Sequence, residues 1–262
     1  MNGAEWVKIG PHLMTVQTEE FWVKESLHQD FLPFRPAFYE NPDLSVIVNS
    51  GFGSPFSDYY VDISTCQSGV CFQRADYKIE VSRDYRKAVL YVYDSLALKH
   101  ALMNLYSAYI VHHQFGLLFH ASCVVENEKA YLFTGNSGAG KSTAAQLSHP
   151  RELIADEATI IQVDSKGISA FDSPFRSEVP ITKNSRSWNV GGIQSLIQST
   201  TNRRVKLEKT RSVMQLMDKI FYWPVYREDR IKAVRLLKEV ITKVSVYELY
   251  FKKDPTFWEL LS

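Results

Sequence analysis

The chain has 262 residues, 45% of them hydrophobic and 23% charged, with a formal net charge of +1. That length and apolar content suffice for one large core or two small ones. The even charge balance excludes both a basic nucleic-acid stripe and an acidic disordered tail, so no nucleic-acid partner is expected.

The first residues lack the basic segment and apolar run of a signal peptide, and no later window approaches the ~18 uninterrupted apolar residues of a membrane span. A cytoplasmic protein without a membrane partner is expected. The three cysteines, Cys66, Cys71 and Cys123, show no paired metal-type spacing and no complete disulfide framework. They read as ordinary reduced thiols.

From Phe21 to Tyr93 the signals are mostly of strands. Ser45–Asn49, Tyr59–Ile63, Tyr77–Val81 and Ala88–Tyr93 are short, β-branched or aromatic, and bounded by turn residues. Residues 1–94 therefore form a β-rich region. At Ser95 the period changes: Leu98, Leu102, Leu105, Tyr109 and His112 share one helical face, with Ser95 as N-cap. A strand over Gly116–Val125, a turn at Glu126–Lys129 and a strand over Ala130–Thr134 follow.

A helix then runs to Leu147, and a buried strand covers Glu152–Asp156. Thr159–Val163 and Gly167–Phe171 make a hairpin about Asp164–Gly167. Leu207–Phe221 and Glu228–Lys243 read as amphipathic helices, and Val244–Phe251 as a closing strand. Residues 95–262 thus form an α/β core.

The chemistry concentrates in Gly135-Asn136-Ser137-Gly138-Ala139-Gly140-Lys141-Ser142, which matches the phosphate-loop pattern G-x-x-x-x-G-K-[ST] between an apolar strand and a helix. Its glycines let successive N–H groups face phosphates at a helix N-terminus. Lys141 is expected on the β and γ phosphates, Ser142 on magnesium, and the nucleotide site to run on to Thr143. ATP with magnesium is therefore the expected cofactor pair.

Magnesium needs more than one hydroxyl. Asp156-Glu157 follow an apolar strand, at the end where ligands bind open α/β sheets, and a strand-end acid can also take a hydroxyl proton. His120 lies in the preceding strand, where a lone histidine is ordinarily structural; His112 and His113 read as helix-end residues. Arg203, Arg204, Lys206, Lys209 and Arg211 read as a solvated basic face, and Gly191-Gly192 as a plain turn.

Over Phe115 to Val163 these residues resemble the HPr kinase/phosphorylase type of serine kinase, whose core is related to the nucleotide-binding part of phosphoenolpyruvate carboxykinase. The match comprises a histidine strand, the loop G-x-S-G-x-G-K-S and a strand ending in paired acids, with His120 fifteen positions before Gly135. In overall layout the chain is most similar to the short relatives of that kinase found with ribosomal-peptide biosynthesis enzymes. The resemblance implies a phosphate-loop core of the HPr kinase/carboxykinase type behind a β-rich N-terminal region.

It also implies that His120 is functional, that Lys141 contacts phosphate, that Ser142 and Asp156 belong to the metal shell, and that the second acid is the base. The family's usual pair is Asp-Asp, so either Glu157 or Asp156 stands as base here. Glu178 corresponds loosely to a later metal-binding glutamate, and Arg176 to a phosphate or peptide contact. The family's longer substrate and oligomer-contact signature does not follow the acids, so neither an HPr substrate nor reversal by phosphate is implied. The expected activity is transfer of the γ-phosphoryl of ATP to a serine-type hydroxyl of a peptide, protein or small molecule. An ATP-binding regulatory or assembly protein without an acceptor is the alternative, and a homo-oligomer stays open.

Overall fold

Alternating apolar residues, a positive-φ glycine and a short polar gap are what an antiparallel hairpin requires, and the first elements have them: β1 (Glu5–Ile9) and β2 (His12–Gln17) pair in register Ile9↔His12 across Gly10, whose φ is 57°. The computed structural model describes residues 4–33, 41–67, 69–177, 186–223 and 225–261. The chain divides into two compact units: Met1–His113 with Tyr222–Arg230, and Gln114–Phe221 with Ile231–Ser262. The division falls after His113, so the long helix Ser95–His112 lies in the first unit.

In the first unit α1 (Phe21–Asp30), β3 (Leu32–Pro33), β4 (Leu44–Ser50), β5 (Asp62–Cys66), β6 (Gly69–Gln73), β7 (Tyr77–Val81), β8 (Lys87–Val92) and α2 (Ser95–His112) follow the first hairpin. Eight strands form one sheet in the order β3-β1-β2-β4-β8-β7-β6-β5. Every second residue of β4, β7 and β8 is buried, the signature of a sheet with one covered face. Three expectations change here. Phe21–Asp30 is helical rather than extended, because its buried residues Val23 and Leu27 are four apart on one helix face. The Tyr59–Ile63 strand begins only at Asp62, leaving Tyr59 and Tyr60 exposed. The cap of α2 is Asp94, whose carboxylate accepts the Ala97 N–H at 2.9 Å, not Ser95.

The second unit contains β9 (Gly116–Glu126), β10 (Lys129–Thr134), α3 (Lys141–Leu147), β11 (Glu152–Ala155), β12 (Ala158–Val163), β13 (Ile168–Phe171), β14 (Ser187–Gln198), β15 (Arg203–Lys206), α4 (Lys209–Met217), most of α5 (Arg227–Lys243), β16 (Val246–Phe251) and a closing 3-10 turn, Pro255–Leu260. Its sheet order is β10-β9-β12-β13-β14-β16-β15, and β10 also pairs with β14, closing a ring of five strands; β11 lies against β9. β10, β14 and β16 run parallel, so their carboxyl ends share one edge.

Packed against this sheet is a cluster that includes Val124, Phe133, Leu196, Leu249, Phe257 and Trp258. Gly191-Gly192 are no turn: they lie inside β14, where the register with β10 slips between Ala130 and Tyr131. A Cβ on Gly191 would sit 3.0 Å from the Tyr131 ring, so glycine admits that ring at the bulge. Cys66, Cys71 and Cys123 form no disulfide. Among the described residues no helix is long and apolar enough to cross a membrane.

Candidate functional site

The loop that matches the phosphate-binding pattern leaves β10 at Thr134 and re-enters regular structure at Lys141, the first residue of α3. Gly140 has φ 105°, and a Cβ there would lie 2.6 Å from Phe251 Cζ, so both conformation and space demand glycine. Within the loop the Ala139 N–H donates to Asn136 O at 3.0 Å, and Gln198 Nε2 donates to Gly138 O at 2.7 Å. Asn136, Ser137, Gly138 and Ser142 are exposed, while Ala139 and Thr143 are half-buried. Lys141 folds back along the loop, its Nζ donating to Gly135 O at 3.0 Å and Asn136 O at 3.4 Å. Burial and then the neighbouring Lys219 lower the Lys141 ammonium's pKa below its ordinary value.

The spacing between His120 and the loop is the register of a hairpin. β9 and β10 are antiparallel with Ala121 opposite Thr134, which makes His120 and Gly135 the next facing positions. On its other side β9 meets β12, with His120 opposite Ala158, and the Ala121 N–H donates to Glu157 O at 3.1 Å. The Thr134 and Thr159 hydroxyls tie the same layer, donating to His120 O at 2.9 Å and Ala121 O at 2.8 Å. One row across the sheet thus carries the histidine, the start of the loop and the acidic turn between β11 and β12.

Asp156 and Glu157 differ in their surroundings. Asp156 is buried, and Ser177 grips both its oxygens: the N–H donates to Oδ1 at 3.0 Å and the hydroxyl to Oδ2 at 3.1 Å. Glu157 is half-buried. The His120 imidazole, 5.1 Å from the Phe221 ring, is pushed down to about 4 by burial first and then by Lys141 and Lys219, so it is neutral near pH 7.

Two residues of this neighbourhood carry no sequence signal. Ser177 is an ordinary serine beyond β13. Lys219 follows α4, and its Nζ donates to Asn136 Oδ1 at 2.6 Å. Its backbone O accepts the His120 N–H at 2.7 Å, and Phe221 N–H donates to Leu118 O at 2.9 Å. This pairing alongside β9 brings residues distant in sequence to the loop.

Other expected contacts fall elsewhere. Arg176 is buried rather than available to a ligand: it is ion-paired with Asp172 and donates to the carbonyls of Ser173, Leu153 and Ile154. Glu178 lies outside the described residues. His112 and His113 lie in the first unit, with His112 Nδ1 3.0 Å from Asp229 Oδ1 and His113 Nε2 2.8 Å from Asp84 O. In the basic cluster Arg203 stacks on Tyr250, Arg204 stacks on Tyr247, and Arg211 pairs with Glu248 at 2.5 Å. Arg203, Lys206, Lys209 and Arg211 are nonetheless exposed, as a solvated basic face requires.

The model of a family described as SynChlorMet cassette protein ScmC matches residues 89–261, about two thirds of the chain. The chain belongs to the ScmC family. No curated protein matches it. The ScmC match begins in β8 and contains every residue of the site just described. In this ScmC chain no three His, Cys, Asp or Glu side chains gather into a ready metal site among the described residues. Magnesium bound with a nucleotide asks less, because phosphates and water fill most of its shell and the protein adds one or two ligands. The exposed Ser142 hydroxyl and the carboxylate of Asp156, held by Ser177 just after β11, are ligand types that fit that requirement.

Proposed function

We propose that this chain is an ATP- and magnesium-dependent kinase, built on a phosphate-loop core of the HPr kinase/carboxykinase type, that phosphorylates a serine-type hydroxyl of a peptide, protein or small molecule in the cytoplasm. The observation that carries this reading is the shared row of His120, Gly135 and the Asp156-Glu157 turn across β10, β9 and β12. A loop for magnesium and triphosphate alone needs one strand-end acid; the second acid and the neutral histidine beside it are what a hydroxyl kinase adds. A hydroxyl kinase uses both a phosphate cradle and a base.

In this reading Lys141 exchanges its loop carbonyls for the β and γ phosphates, and the loop amides, those of exposed Asn136, Ser137 and Gly138 among them, orient them. Ser142 and Asp156 would hold magnesium, which when bound would neutralise phosphate charge. Ser177 holds Asp156 by two hydrogen bonds in the position of a metal ligand, and Glu157, the next strand-end acid, is the base in this reading. Glu157 takes the acceptor's hydroxyl proton as that oxygen attacks the γ phosphorus. The bond from the γ phosphorus to its bridging oxygen breaks, and ADP leaves. Neutral His120 offers a hydrogen bond to the reacting groups without adding charge.

The test is transfer of label from γ-labelled ATP to hydroxyl-bearing acceptors, including serine peptides, free serine and cell extracts. Labelled acceptor is expected. Lys141→Ala should abolish turnover, while Glu157→Gln should retain ATP binding and lose transfer by about 100-fold or more, the scale of a lost general base. Binding or loss of ATP without any labelled acceptor would overturn the kinase in favour of an ATP-binding regulator.

A further inference from the structure

The loop carries a second ammonium group that no motif explains. Lys219 is buried to 8% exposure, yet its side chain ends on the otherwise exposed Asn136, with Nζ 2.6 Å from Asn136 Oδ1. Its other contact, Asp218 Oδ2 at 2.6 Å, belongs to a carboxylate that is 66% exposed, so water screens that pair. The backbone leaves Lys219 little choice of position. His120 N–H donates to its carbonyl, Ile220 bridges to Phe119, and Phe221 N–H donates to Leu118 O, making residues 219–221 a strand-like edge along β9.

That edge places Lys219 near two other nitrogen bases, for it lowers the pKa of both Lys141 and His120. Packing two lysines beside one loop costs Coulomb energy, and burial raises the cost. Their loop partners are neutral oxygens: the Gly135 and Asn136 carbonyls for Lys141, the Asn136 amide for Lys219. Neutral acceptors repay such repulsion poorly, whereas a polyanion would relieve it and form charge-assisted bonds to both.

We propose that Lys219 is a second phosphate-binding cation of this site, exchanging its hydrogen bond to Asn136 for an oxygen on the terminal phosphoryl group of bound ATP. The inference rests on the kinase reading for its nucleotide but not for transfer. Lys141 reaches the loop from α3 and Lys219 from the opposite strand edge, so the two approach the phosphates from different elements. With Lys141 spread over the β and γ positions, the additional cation serves the group that ATP has and ADP lacks. Lys219 therefore sets the preference for triphosphate over diphosphate and stabilises charge on the phosphoryl group in flight.

The experiment measures the Kd of the full chain for ATP and for ADP, with magnesium, by fluorescence of labelled nucleotides. Lys219→Met should weaken ATP by roughly 10- to 100-fold, the range of one charge-assisted hydrogen bond, and ADP by less than about threefold. Lys219→Arg should restore ATP binding to within about threefold of the wild-type chain. Asn136→Ala should shift ATP and ADP together. Lys219→Gln, which retains a donor for Asn136 while removing the charge, should behave like Lys219→Met, and its far-ultraviolet circular dichroism checks the fold.

Equal loss of ATP and ADP, no loss of either, or an ATP-selective loss in Asn136→Ala would overturn the proposal and leave Lys219 as a prop for the loop. The outcomes separate from those of the kinase test. ATP-selective loss at Lys219 with no labelled acceptor overturns only the kinase. A labelled acceptor with an indifferent Lys219 overturns only this inference. A wild-type chain that does not bind ATP overturns both.

Discussion

His12, His100 and His120 are each pushed down to about 4, and burial is the largest cause for all three. Charge adds to it: Arg74, whose Nη2 lies 2.7 Å from His100 Nδ1, lowers His100, and the two site lysines lower His120. Unfolding returns each imidazole to its ordinary value near 6.5. Between pH 6.5 and 4 the unfolded chain therefore binds more protons than the folded one, and acid favours unfolding. The stability of these neutral, buried imidazoles is fully present above about pH 6.5 and drains away as pH falls toward 4. Thermal melts should show Tm flat from pH 7 to 8 and falling steadily below 6.5, with His120→Gln removing part of the slope. A Tm unchanged from pH 7 down to 4.5 would contradict this assignment.

At the same scale, the legible site residues were those held by local pattern. The loop glycines, Lys141 and the two acids stand next to turns or strand ends that read from the chain, and His120 is readable because a hairpin register converts a fifteen-position gap into adjacency. Lys219 was not legible, since only the pairing of residues 219–221 with β9 brings it to Asn136. Ser177 likewise acquires meaning only from the two bonds it gives Asp156.

At the scale of elements, Arg176 shows how a charged residue after a hairpin can be structural. Its guanidinium clamps β11 through the Leu153 and Ile154 carbonyls while pairing with buried Asp172. This fastens the strand whose end presents Asp156. Arg176→Leu strips Asp172 of that counter-charge inside the fold and should cost about 3–5 kcal/mol, whereas the double variant Arg176→Leu/Asp172→Leu should recover much of it. Urea unfolding midpoints measure both; a single variant as stable as the wild-type chain would show that the clamp carries no energy.

Hairpins were the elements the sequence announced most plainly. Asn127 and Glu128, with φ 50° and 58°, make the β9–β10 turn, and Asp164 caps its own turn through the Lys166 and Gly167 N–H groups. β14 was hidden because Gly191-Gly192 mimic a turn within it, and α1 because Phe21-Trp22-Val23 is as good a strand former as a helix former.

For the whole molecule, the proposed nucleotide site draws on four separated stretches of chain, at 120, 135–142, 156–157 and 219, all within the second unit. A ligand that binds only the folded form stabilises it by mass action, by about 2.7 kcal/mol at a hundred times its Kd. The gain should be felt where backbone groups join those stretches. The Ala121 N–H bonded to Glu157, the His120 N–H bonded to Lys219 and the Phe221 N–H bonded to Leu118 are the reporters. Hydrogen exchange with and without magnesium-ATP should show slowing at these amides and across 135–142, together with a raised Tm. β4, β7 and β8, whose sheet contributes no residue to the site, should exchange at nearly unchanged rates. Slowing concentrated in that sheet would place the nucleotide elsewhere. Slowing at Phe221 and His120 as strong as in the loop itself would mean that the edge carrying Lys219 tightens with the phosphates, which a passive cradle confined to residues 135–142 cannot produce.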